Sequence, residues 1–89
     1  MNKIHNLKIL SSYYTDVDLG LKKAELRKDD RDFEVGDYIQ FTVIYPDSYE
    51  ERTICRLYII THILRNVPEY GLVPGYCILS IEKSKPFRW

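Results

Sequence analysis

The sequence predicts a small α+β domain, mainly β, with about five strands and one short helix near the N-terminus, closing into a barrel. Three observations predict it. Runs rich in Ile, Val, Thr, Phe and Tyr, several of them alternating with polar residues, recur between turn-forming residues along the chain. Eight Tyr, three Phe and one Trp in 89 residues suit half-buried strands. One segment only carries helix signals. The length suffices for one domain, residues 1–89, and is too short for two.

The elements follow in order. Residues 4–10 alternate in part and read as a strand. Ser11 and Ser12 are candidate N-caps for a short helix that Gly20 ends. From Lys22 to Lys28 the period is two: Ala24 and Leu26 point one way, Lys23, Glu25 and Arg27 the other. Residues 28–36 form a polar loop with Phe33 and Val35 as apolar anchors. Asp37 to Tyr45 is a strand rich in β-formers, and Pro46-Asp47-Ser48 is a turn. Arg52 to Leu64 is a long strand, with Ile54, Arg56, Tyr58, Ile60 and His62 on one side and Cys55, Leu57, Ile59 and Ile63 on the other. Residues 66–75 hold two Pro and two Gly and read as a loop. Tyr76 to Lys83 is the last strand, and Pro86-Phe87-Arg88-Trp89 has no assignment.

Composition narrows the function classes. Lys plus Arg equals Asp plus Glu, 13 each, so any basic patch for phosphate is local. Asp47, Glu50 and Glu51 gather at one turn, and Lys83, Lys85 and Arg88 near the C-terminus. Cys55 and Cys77 lack zinc-ligand spacing and are expected to be buried thiols; no metal and no cofactor is expected. No apolar run approaches the ~20 residues of a membrane span, and the N-terminus does not read as a signal-peptide h-region. A cytoplasmic protein without membrane contact is the expectation.

Gly20-x-Lys22-x-x-Glu25-x-Arg27 resembles the G-x-K-x-x-E-x-R motif of the ASCH family, which has a PUA-like β-barrel fold. The likeness continues through residues 5–9, 28–37, 61–64, 71–72 and 75–81, and it is to a small branch of that superfamily found in phage and bacterial genomes, without an assigned function. The resemblance implies an RNA-related role. Some ASCH members are similar to amidohydrolases acting on a modified cytidine nucleoside, with a catalytic Lys at the position of Lys22 and a Thr nucleophile where this sequence has Glu25. Other members are reported nucleases, which implies an RNA-cleaving alternative.

Two readings of the motif stand side by side. In one, Lys22, Glu25 and Arg27 are a solvated strand face with cross-strand ion pairs worth ~0–1 kcal/mol each. In the other they line a cleft. Arg27 there offers its fork to phosphate or carboxylate, Lys22 a point charge or a base, and Glu25 an acceptor or an anchor for Arg27. Arg31 either joins that cleft or belongs to a charged turn with Asp29, Asp30 and Asp32. Tyr45 and Tyr58 are candidate cleft walls, and the strand hydroxyls Thr53 and Thr61 have no visible activating base. His5 and His62 are expected to be packed or exposed rather than catalytic. The expected function is RNA or nucleotide binding by Lys22, Glu25, Arg27, Arg31 and Tyr45. A hydrolase using Lys22 and Glu25, and a protein-interaction domain, are the alternatives.

Overall fold

A computed structural model describes residues 2–84. The unassigned tail 86–89, and with it the basic side chains Lys85 and Arg88, lies outside the described residues. Strands run over Ile4–Leu10 (β1), Ala24–Lys28 (β2), Tyr38–Tyr45 (β3), Glu50–Leu64 (β4) and Tyr76–Lys83 (β5), and a helix over Ser11–Asp18 (α1). A single 3-10 turn, Pro68–Tyr70, interrupts the loop before β5.

The five strands form one sheet in the order β1-β3-β4-β5-β2. β1 lies parallel to β3, and every other pair is antiparallel. The fold is mainly β: the sheet curls into a half-barrel, with the one short helix near the N-terminus. The curl brings the two edge strands, β1 and β2, toward one another. Leu7, Ile9, Phe33, Ile39, Phe41, Val43, Tyr58, Ile60, Cys77, Leu79 and Ile81 fill its inside, with Val17 of α1. Tyr14 of α1 meets Phe41 and Tyr58 edge-on, at 5.9 and 6.5 Å between ring centres.

The helix is positioned by its ends, and only one matches the expectation from sequence. Leu10, not Ser11 or Ser12, is the N-cap, and no side chain caps the helix: α1 begins directly after β1, so Ser11 already stands at the first helical position and the cap position falls on an apolar residue. The C-terminus is a Schellman closure: Gly20 N–H donates to Val17 O and Leu21 N–H to Asp16 O. Gly20 takes φ +77° there, a left-handed conformation that strains any residue with a Cβ. Lys22 N–H also donates to Asp16 O, which fixes where Lys22 leaves the helix.

Register decides the faces of β2, and it reverses the simple expectation that its apolar side points inward. Glu25 pairs with Leu79 and Arg27 with Cys77, so all four side chains share the inner face. Glu25 is 4% exposed, whereas Leu26 is 62% exposed, opposite Ile78 on the outside.

Three further expectations are corrected. Val35 is exposed, so Phe33 is the one apolar anchor of the two expected in the 28–36 loop. A register shift between Ile60 and His62 interrupts the alternation of β4, so His62 is exposed and Ile63, expected on the opposite side, packs against the core. Cys77 is buried but Cys55 is exposed, on the stretch of β4 where its register with β3 slips between Gln40 and Thr42.

Candidate ligand-binding cleft

The facing edges of β1 and β2 are not joined by a backbone ladder. Arginine side chains bridge them. Arg27 Nη2 donates to Lys8 O at 2.7 Å, and Arg31 Nη1 donates to Asn6 O at 2.7 Å. Asn6 and Lys8 are alternate residues of β1, whose odd-numbered neighbours face β3, as Tyr38 N–H donating to Lys3 O shows. Their carbonyls would otherwise be an open sheet edge.

Between the edges lies a cleft of about 610 Å³, within the range of small-molecule sites. Lys8, Ile9 and Leu10 line it from β1, Tyr13 from α1, and Lys22 and residues 24–28 from the other side. Glu25 lies at its inner end. Lys22 Nζ donates to Glu25 Oε1 and to Ala24 O, and Arg27 Nε donates to Glu25 Oε2 at 2.9 Å. The Glu25 side chain is 5% exposed, those of Lys22 and Arg27 29% and 22%. A carboxylate so far from water needs both partners, and removal of such a partner is costly. With Glu25 fully engaged, the outward hydrogen-bonding capacity of the cluster is that of donors. Arg27 Nη1 has no partner among the described residues. Four basic side chains and one carboxylate line the cleft of a chain that carries 13 of each overall. That is a local positive site, suited to an anion or an acceptor-rich molecule.

Lys22, Glu25 and Arg27 therefore come together. Arg31 holds the same edge of β1 one pleat further on, outside the cleft lining. Tyr45 stands apart: it packs against the core, with the Arg52 guanidinium 5.8 Å from its ring centre. Tyr58 is buried, its hydroxyl 3.3 Å from that of Tyr14, and burial raises its pKa. Among the described residues, the aromatic side chain that lines the cleft is Tyr13, 55% exposed. Sequence reasoning missed it because adjacent tyrosines on a short helix give no sign of which one packs inward. It also missed Lys8 and Lys28, which count only because the sheet curls.

A second ionic cluster escaped sequence reasoning altogether. Asp37, 0% exposed, accepts from Lys3 N–H at 3.1 Å, Glu34 N–H at 3.0 Å and His5 Nε2 at 2.8 Å. Burial pushes its carboxyl up, but the hydrogen bonds from His5, Lys3 and Glu34 outweigh that and hold it below its ordinary 3.8. The 28–36 loop is also tied by Arg65, whose fork donates to Asp29 at 2.7 and 3.1 Å. Thr53 accompanies Thr42, with 3.0 Å between hydroxyls, and Thr61 donates to Ser80 O. Among the described residues, no three His, Cys, Asp or Glu side chains are grouped to hold a metal ion.

Fold and site together define a small mainly β domain with a positive cleft over a buried carboxylate. Residues 4–81 match the family described as "Domain of unknown function (DUF3850)", and the chain belongs to that family. No curated protein matches the chain.

Proposed function

We propose that this protein is a binding module for RNA or a nucleotide, of ASCH/PUA-like kinship, whose ligand lies in the cleft between β1 and β2. The observation that carries the reading is the convergence of Lys22 and Arg27 on the buried Glu25 at the inner end of that cleft. It turns two flexible cations into fixed donors, and fixed donors are what phosphate and base edges recognise. A cytoplasmic setting goes with this ligand class.

Binding fits the geometry better than hydrolysis. Glu25 accepts at both oxygens, and Lys22 already donates to two acceptors. Neither is placed as an unengaged acid or base.

The test is a titration of the labelled protein with short RNAs and nucleotides, followed by amide shifts. Residues 20–31 are expected to move at sub-millimolar to millimolar ligand. If no RNA or nucleotide perturbs them at millimolar concentration, the reading falls. A partner protein that perturbs them instead would replace it.

A further inference from the structure

The free edge of β2 carries the argument beyond a positive cleft. Ile81 N–H donates to Lys23 O, and Asp29 N–H donates to Gly75 O. The odd-numbered residues of β2 therefore direct their backbone groups to β5, and Ala24, Leu26 and Lys28 direct theirs to the cleft. Lys22 occupies the Ala24 carbonyl. The Leu26 C=O and the Lys28 N–H, on the same open edge, have no partner among the described residues. An acceptor and a donor side by side on a rigid strand complement a planar group that presents a donor beside an acceptor. Every nucleobase does so on its Watson–Crick edge, but only when that edge is unpaired.

Three other features fit the same ligand. Tyr13 is exposed in the cleft, and its ring meets no other aromatic ring among the described residues, unlike that of Tyr14. It is available for stacking, which is sequence-tolerant and needs an unstacked base. Lys28 has no ion-pair partner among the described residues, whereas Lys8 lies 3.4 Å from Glu51. The cleft volume of about 610 Å³ suits one nucleotide, and a duplex keeps its base edges paired and out of reach.

We propose that the cleft takes a single unpaired nucleotide, its base stacked on Tyr13 and read by the Leu26–Lys28 backbone edge, its phosphate held by Lys28 and Arg27. This rests on the reading of the cleft as a nucleotide or RNA site and names which part of the nucleic acid enters it. Stacking supplies affinity, and the backbone edge requires an unpaired base. The fixed guanidinium of Arg27 orients the phosphate.

The test compares the four nucleoside 5′-monophosphates with ribose 5-phosphate, on the wild type and on Tyr13→Ala, Lys28→Ala and Lys28→Pro. Proline at position 28 removes the cleft-facing N–H without touching the ladder to β5, and Lys28→Ala accounts for the lost charge. At least one monophosphate is expected to bind about tenfold or more tightly than ribose 5-phosphate. Tyr13→Ala should abolish that advantage and leave ribose 5-phosphate binding within about twofold. Lys28→Pro should bind the monophosphate several-fold more weakly than Lys28→Ala. Melting curves check that each variant folds; if Lys28→Pro does not, the Tyr13 arm decides. Shifts in residues 20–31 with equal affinity for monophosphates and ribose 5-phosphate, or an unaffected Tyr13→Ala, overturn this inference and leave the wider reading standing. No shift with any of these probes or with short RNAs, single-stranded or folded, overturns both.

Discussion

Glu25 and Asp37 are both carboxylates withdrawn from water, 4% and 0% exposed, yet they are held in opposite ways. Asp37 is hydrogen-bonded by short, stiff donors, two backbone N–H groups and the ring of His5, itself packed 4.7 Å from Phe33, while the Lys3 ammonium stays 3.9 Å away, beyond hydrogen-bond reach. Its shell is closed, and it ties β1, the 28–36 loop and β3 into one corner. Glu25 is held by the ends of two long side chains, each roughly a quarter exposed, at the inner end of a cleft. Its shell opens on the side where a ligand would sit. Burial alone does not separate the two carboxylates; what separates them is that the partners of Glu25 retain donors facing a cavity.

Substitutions can break this comparison. The largest effect is expected at Asp37. Asp37→Ala strands the ring of His5 in the core and leaves two partly buried backbone N–H groups unpaired, so a loss of about 3 kcal/mol or more in urea unfolding is expected. A carboxyl with a lowered pKa contributes stability above its unfolded value and loses it as pH falls through the folded one. Wild-type stability should therefore decline below pH 3.8, and Asp37→Asn should flatten that decline. A smaller loss, about 1–2 kcal/mol, is expected for Glu25→Ala, because Lys22 and Arg27 can turn to water. Its ligand binding should fall further than its stability, since Arg27 is no longer fixed. If Glu25→Ala proved the more destabilising of the two, the contrast between a closed and an open shell would fail. The smallest effect is expected at Leu26, on the outer face of the same strand. Leu26→Ser should change stability by about 0.5 kcal/mol or less, against roughly 2–5 kcal/mol for Leu79→Ala inside.

Much of the fold was legible because strands announce themselves locally. β1 and β5 have the bounds the sequence suggests, Ile4–Leu10 and Tyr76–Lys83, since alternation and turn residues delimit them. Gly20 was legible as a helix stop for the same local reason. The bend in the pattern of β4 was not legible, because the register shift after Ile60 depends on its pairing with β5. Only the curl of the sheet shows that Tyr13 lines the cleft while Tyr45 packs against the core. Asp37 and His5 are 32 residues apart, with nothing between them to signal a contact.

The sequence by itself determined which residues alternate, where the chain turns, and that Lys22, Glu25 and Arg27 share a motif opening at Gly20. It left open whether that motif is a solvated face or a cleft. Tertiary structure decided it through a register. Leu79 and Cys77 point into the half-barrel, and their partners Glu25 and Arg27 must point with them. Alternation defines two faces of a strand, but which one is inside depends on the neighbour it pairs with and on how the sheet curls.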